Sequence, residues 1–179
     1  RPAEFLYDNL AIAQNVIDGA WQAGVGRLLF LGSSCIYPKH AEQPIAETAL
    51  LTGPLEPTNE AYAIAKIAGL KLAEAYRAQY GARYISAMPT NLYGPGDRFD
   101  EAQGHVVPAL MARMVRAKTE SQREVVGWGT GAPPRELWHV ADLPDACVTL
   151  LKSYDAAGPA NVGSGGEVSC RGRAKTIAQ

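Results

Sequence analysis

Tyr62 and Lys66 stand four residues apart in "YAIAK", a spacing that puts a phenol and an ammonium on one face of a helix. An ammonium held near a phenol favours the phenolate and lowers its pKa, which makes an acid/base usable at neutral pH. The same spacing also suits two solvated side chains on a helix face, so the surroundings must decide. Upstream, "GSSCIYPK" sets Ser33, Ser34 and Cys35 directly after the apolar run "RLLFL". Downstream, the apolar "ARYISAMP" gives way to "TNLYGPGD". Reactive side chains at the end of a buried run, followed in the chain by a Tyr–Lys helix, read as one wall of an active site.

The elements that must position these groups follow from periodicity. "PAEFLYDNLAIAQNVIDGAWQAGVG" carries Phe5, Leu6, Leu10, Ala13, Val16 and Ile17 at helical spacing and runs out at Gly24–Gly26. "RLLFLGSS" is a short continuous apolar run, as expected for a strand covered on both faces. A loop rich in Pro, Glu and Thr follows, to about Pro57. "NEAYAIAKIAGLKLAEAYRAQYG" predicts a strong helix with Thr58 or Asn59 as its N-cap and Gly81 closing it. "ARYISAMP" reads as a second buried strand and "TNLYGPGDRFD" as turns. A third helix is expected from about His105 to Lys118, short strands and turns over "REVVGWGTGAPPRELWHV", a helix from near Asp142 and a last short strand in "GPANVGS". This rhythm indicates βαβ units and a mostly parallel sheet, an α/β architecture.

Bulk properties narrow the function. The 179 residues suffice for one domain with a real core, 47% are apolar, and the formal net charge is −1. Such a balance gives no reason to expect nucleic acid or an anionic membrane as partner. No apolar stretch approaches the ~20 residues of a membrane span, and "RPAEFLYDNL" lacks the pattern of a secretory leader. It also lacks an initiator Met and opens directly on a helical pattern, as if the chain were entered within a domain. Cys35, Cys147 and Cys170 form no CxxC pair and no metal-ligand spacing with the three histidines. No metal site is expected, and a reduced, cytoplasmic setting fits. Cys147, on the apolar side of "DLPDACVTLL", reads as a small buried hydrophobe. His40 and His139 read as structural.

With Ser33 upstream, the Tyr62/Lys66 pair resembles the extended short-chain dehydrogenase/reductase family, which acts on sugar nucleotides with a bound nicotinamide cofactor. "LGSSCIYPK", "LEPTNEAYAIAKIAGLKLAEAY", "MPTNLYGPGDRF", "HVVPALMARM" and "GWGTGAPPRELWHVADL" narrow the resemblance. They are similar to members that epimerise and reduce a GDP-bound 4-keto-6-deoxy sugar. The resemblance implies a doubly wound, Rossmann-like parallel sheet, NADP(H) as cofactor, a GDP-sugar substrate and a homodimer formed through the first two long helices. It assigns the catalytic positions to Ser33, Cys35, Tyr62, Lys66 and His105. Ser33 and Tyr62 would serve the C4 carbonyl oxygen, and Lys66 the nicotinamide ribose. Cys35 and His105 would be the base and acid of epimerisation, a thiol near a cation being open to deprotonation at working pH. Cofactor binding is implied for Leu31, Gly32, Ser33, Ser34, Lys66, Pro89, Thr90, Asn91, Leu92 and His105. Substrate binding is implied for Arg113, Trp128 and Arg135, arginine suiting a diphosphate.

The resemblance further implies that residues 1–100 are the remainder of the NADP-binding domain and 101–140 mainly a substrate-binding segment. Residues 141–165 would return to the Rossmann-like domain and 166–179 form a divergent tail. The family's glycine-rich phosphate loop belongs to a first βαβ unit that these residues do not contain. In the tail, Gly172 is expected to weaken the helix, and neither Cys170 nor Arg171 receives a role. Two enzyme types of the same fold are weighed against this reading. Sugar-nucleotide 4,6-dehydratases carry an acidic pair where this chain has Cys35-Ile36, and UDP-hexose 4-epimerases lack the Cys/His pair. A non-catalytic sugar-nucleotide-binding fragment is the alternative from another class.

Overall fold

Strand formation begins where the apolar run follows the first helix. The computed structural model describes residues 1–101, 104–126, 130, 131 and 134–177. They divide into two compact units, Arg1–Thr90 with Pro144–Val162, and Asn91–Leu143 with Gly163–Gln179.

In the first unit, helix α1 (Pro2–Gln22) leads into strand β1 (Arg27–Leu31), then helix α2 (Glu60–Tyr80) into strand β2 (Arg83–Pro89). Helix α4 (Leu143–Ser153), from Pro144 onward, and strand β5 (Pro159–Val162) complete it. The sheet order is β1-β2-β5 and both pairings are parallel, Leu31 standing opposite Ala87 and Pro89 opposite Val162. β2 is the central strand, and Tyr84 to Met88 are all buried, which is why "YISAM" carries only the small Ser86 among apolar residues. α2 starts at Asn59 and stops at Gly81, which supplies the left-handed φ of +69° that ends the helix. Two apolar clusters form the core. One holds Ile17, Ala73, Ala82 and Tyr84; the other holds Ile36, Tyr37, Leu70 and Met88.

The second unit holds strand β3 (Asn91–Tyr93), helix α3 (Val106–Thr119), strand β4 (Pro134–His139), strand β6 (Glu167–Ser169) and helix α5 (Cys170–Ile177). β3 pairs parallel with β4, and β4 antiparallel with β6. Three expectations change, two of them in this unit. Asn91–Tyr93 is a strand rather than turn, because its backbone pairs with Leu137–His139. Gly172 does not break α5: it lies in the first turn, where its N–H donates to the Ser169 hydroxyl at 3.0 Å, so a capping bond offsets the glycine. Cys147 is half-buried rather than buried. α3 follows the expected span closely, with His105 as its N-cap.

Candidate functional site

β1 ends at Leu31, and the next residue has no room for a side chain. A Cβ on Gly32 would meet the Met88 thioether at 2.3 Å, while the Gly32 N–H donates to the Ala87 carbonyl at 2.9 Å. The chain then turns through a short 3-10 segment, Ser34–Ile36, with Ser33 as its N-cap; the Ser33 hydroxyl accepts from the Cys35 N–H at 3.4 Å. Ile36 and Tyr37 are driven into the core, and that anchoring leaves Ser33, Ser34 and Cys35 half-buried at the C-terminal end of the sheet. Parallel α/β sheets bind ligands at this edge.

α2 supplies the other side. Lys66 donates to the Leu31 carbonyl at 2.9 Å, and its Nζ lies 5.5 Å from the centre of the Tyr62 ring and 5.3 Å from that of Phe30. Phe5 of α1 packs edge-on against Tyr62, ring centres 5.7 Å apart. Ser33, Cys35, Tyr62 and Lys66 are therefore gathered at one strand end. Pro89 and Thr90 end β2, next to β1 in the sheet, and the Thr90 N–H donates to the Val162 carbonyl at 3.0 Å.

The electrostatics differ from those expected from spacing. Burial pushes the Cys35 thiol up, and the Ser33 hydroxyl, the Lys66 charge and the Asn59 side chain only partly oppose it. Tyr62 is also raised, by burial first and by Cys35 second. Lys66 is lowered by burial. The expected lowering of Tyr62 by Lys66 is thus not met: the ammonium is committed to the Leu31 carbonyl, and desolvation disfavours the phenolate more strongly. Nor is Cys35 poised as a thiolate. At neutral pH this site holds its protons on oxygen and sulfur.

The second unit gathers a different set. A cavity of about 240 Å³ is lined by Asn91, Leu92 and His105, with apolar walls from α3, β4 and β6. His105 is exposed, and its side chain makes no capping bond to α3. Arg113 is held by Glu101, donating to its carbonyl at 2.9 Å and standing 3.9 Å from its carboxylate. Arg135 pairs through its backbone with Val168. Trp128 and the side chain of Arg135 lie outside the described residues. His139 is structural, accepting from the Ala141 N–H at 3.3 Å and packing edge-on against Tyr93. His40 is exposed in a turn.

Residues 1–163 match the family described as NAD dependent epimerase/dehydratase. The chain belongs to that family. Within the NAD dependent epimerase/dehydratase family it is 60% identical over 168 residues to GDP-L-fucose synthase of Sinorhizobium fredii, covering 94% of this chain and 54% of that protein. It is 58% identical over 176 residues to GDP-L-fucose synthase 1 of Arabidopsis thaliana, covering 98% and 54%. A solved GDP-L-fucose synthetase from Naegleria fowleri, bound to NADP, superposes with a TM-score of 0.90 at 30% identity, over 98% of this chain and 57% of that one. The chain thus spans about half the length of these relatives. The epimerase/dehydratase fold is α/β and Rossmann-like, with a mostly parallel sheet, in agreement with the strand pairing described above.

Sequence reasoning missed four contributors within the units. Asn59 was legible only as a helix cap, but its side chain makes no capping bond and instead lowers the Cys35 thiol. Asn161 of β5 accepts from the Tyr37 hydroxyl at 2.6 Å and donates to the Ile45 carbonyl at 2.9 Å, tying the 38–57 loop down behind "GSSC". Cys170 and Arg173 of α5 line the cavity of the second unit. A polar pair three apart in the tail was the available signal for them.

Proposed function

We propose that the protein carrying this chain is a GDP-L-fucose synthase. It inverts C3 and C5 of GDP-4-keto-6-deoxy-D-mannose and then reduces C4 with NADPH. The observation that carries this reading is a thiol set inside the Ser/Tyr/Lys cluster, two residues after Ser33 and within the field of Lys66. A 4-epimerase or plain reductase of the same fold has no need of a thiol there, and a 4,6-dehydratase needs acids instead.

Each side chain then has a task. The Ser33 hydroxyl donates to the C4 oxygen. Tyr62, whose phenol burial holds above its ordinary range, gives its proton to that oxygen during reduction. In epimerisation the same two donors stabilise the negative charge that gathers there when a proton leaves C3 or C5. Cys35 takes those protons and His105 returns them. Cys35 must first lose its own proton, and Lys66 is the nearby charge that favours this loss.

The strand ends Leu31–Ser34 and Pro89–Thr90, with Lys66, fit a nicotinamide cofactor. The Lys66 ammonium already sits at the Leu31 carbonyl, at the end of that strand. When bound, the cofactor supplies the hydride for C4. Asn91, Leu92 and His105 are further candidates to contact it, and Arg113, Trp128 and Arg135 to contact the GDP-sugar. The assembly in this reading is a cytoplasmic homodimer. Three free cysteines suit a reduced compartment, and no helix among the described residues is long and apolar enough to cross a membrane.

Deuterium exchange tests the proposal. With GDP-4-keto-6-deoxymannose in D2O and no NADPH, both the C3 and C5 protons are expected to wash out, as followed by NMR. Washout is expected to fall by two to four decades, roughly the range of general acid–base catalysis, in Cys35→Ser. Retention of both protons by a folded, GDP-binding protein would overturn the epimerase step.

A further inference from the structure

The start of α2 is fastened beside Cys35 at several points. Ile36 and Tyr37 pack in one cluster with Leu70 of α2, which pins the Ser34–Ile36 turn to that helix. The Lys39 ammonium pairs with the Glu56 carboxylate at 2.9 Å, and the Lys39 N–H donates to the Pro54 carbonyl at 2.9 Å. The chain just after Cys35 is thereby tied to the chain just before α2. The Glu56 carbonyl in turn accepts from the Asn59 N–H at 3.0 Å. Asn59 is the N-cap of α2, yet its side chain makes no capping bond, the usual task of an asparagine there. It is hydrogen-bonded to the Cys35 thiol instead. Asn59 stands three residues before Tyr62 and seven before Lys66, so the three share one side of α2.

A base made from a half-buried thiol needs a partner for the charge it acquires. The Lys66 ammonium is committed to the Leu31 carbonyl, and the Ser33 oxygen accepts from the Cys35 N–H. Tyr62 gives no help, since a charge on Cys35 disfavours one on the phenol. The Asn59 amide carries two N–H donors that the helix cap does not use, and a donor binds a thiolate more strongly than a thiol. We infer that Asn59 is a positioning residue whose side-chain amide donates to the Cys35 sulfur and holds it, as the thiolate, in place to take protons from C3 and C5 of the sugar. The inference rests on the epimerase reading above and adds to it the group that orients the base. The thiol first gives its proton to water. The thiolate then takes the proton from carbon, and the electron pair left behind moves onto the C4 oxygen.

Two variants of the full-length protein test this. Asn59→Asp keeps the shape and suits a helix N-cap, but offers the sulfur a charged acceptor in place of a donor. Asn59→Ala removes the donor alone. Alkylation of Cys35 by iodoacetamide needs no substrate and so reads the pairing by itself. At pH 7.5 it is expected to be about tenfold slower in Asn59→Asp and about threefold slower in Asn59→Ala, with both pH profiles moved to higher pH. Washout of the C3 and C5 protons in D2O is expected to fall in step, the deficit narrowing as pH rises. A merely structural role would slow washout by one factor at every pH and leave the alkylation profile where it was. An alkylation profile unmoved in both variants, or moved to lower pH in Asn59→Asp, would overturn the inference while leaving the epimerase reading intact. Failure of the folded, GDP-binding wild type to exchange either proton would overturn both.

Discussion

At the scale of single residues, Cys35 is a balance between burial and charge. Burial raises the thiol, while Ser33, Lys66 and Asn59 lower it, and burial wins. A thiolate-dependent reaction at Cys35 therefore gains rate as pH climbs through a range above that of an ordinary thiol. Lys66 acts on the lowering side, so its removal must push the thiol further up. Alkylation of Cys35 by iodoacetamide, resolved from Cys147 and Cys170 by peptide mass spectrometry, is expected to be slow at pH 7.5 and to accelerate with pH. Lys66→Met is expected to slow it about threefold or more at fixed pH. Faster alkylation in that variant would mean that Lys66 shields the thiol rather than tuning it. The Tyr62/Lys66 pair makes the same point about what spacing can reveal. Residue types and a four-residue interval located the pair, but the direction in which the phenol moves depends on how deeply it is buried. Burial is a property of the packed sheet edge, absent from "YAIAK" itself.

At the scale of elements, helix and strand boundaries were legible wherever a chemical stop signal coincided with a change of period. Gly81 after α2, the Gly24–Gly26 break before β1, and His105 before α3 are such places. Asn91–Tyr93 was not, since a three-residue strand has too few positions to show alternation and exists only through its pairing with β4. The packing of α2 carries a prediction of its own. Gly69 is buried mid-helix, where an added Cβ would meet the Phe30 ring at 2.4 Å and the Ala13 methyl at 3.1 Å. Two effects then compete in Gly69→Ala. Alanine gains about 1 kcal/mol in helix propensity, and overpacking a filled core costs about 1–3 kcal/mol. With contacts on both the β1 and α1 sides, neither neighbour can yield without disturbing the other, so the cost dominates. A urea melt is expected to show a lower midpoint. A raised midpoint would mean that Phe30 swings aside freely and that α1 and α2 are less closely fitted than the geometry indicates.

At the scale of the whole molecule, α1 presents a question of partners. Its inner face is settled, with Ala13 and Ile17 buried against the first core cluster and α2. Phe5, Ile12 and Val16, spaced by seven and four residues, share another face and are 55%, 62% and 52% exposed. Ile64 of α2 is exposed as well, at 43%, and Tyr62 already touches Phe5. Single exposed apolar side chains need no explanation, but a row of them on one helix beside another marks a surface made to be covered. A second copy of the chain is the occupant in the homodimer reading, and a two-fold arrangement lets the same row meet itself. Ile12→Glu adds a charge at the middle of that row without touching Ala13, Ile17 or the Ser33/Cys35/Tyr62/Lys66 cluster. Light scattering after size exclusion is expected to give a dimer for the wild type and a monomer for Ile12→Glu, with the circular dichroism of the two alike. A variant that stays dimeric would place the contact elsewhere and leave the α1 row without a partner of its own kind. A wild type already monomeric would remove the homodimer from the reading, while Cys35, Tyr62 and Lys66, all within one unit, would keep their geometry.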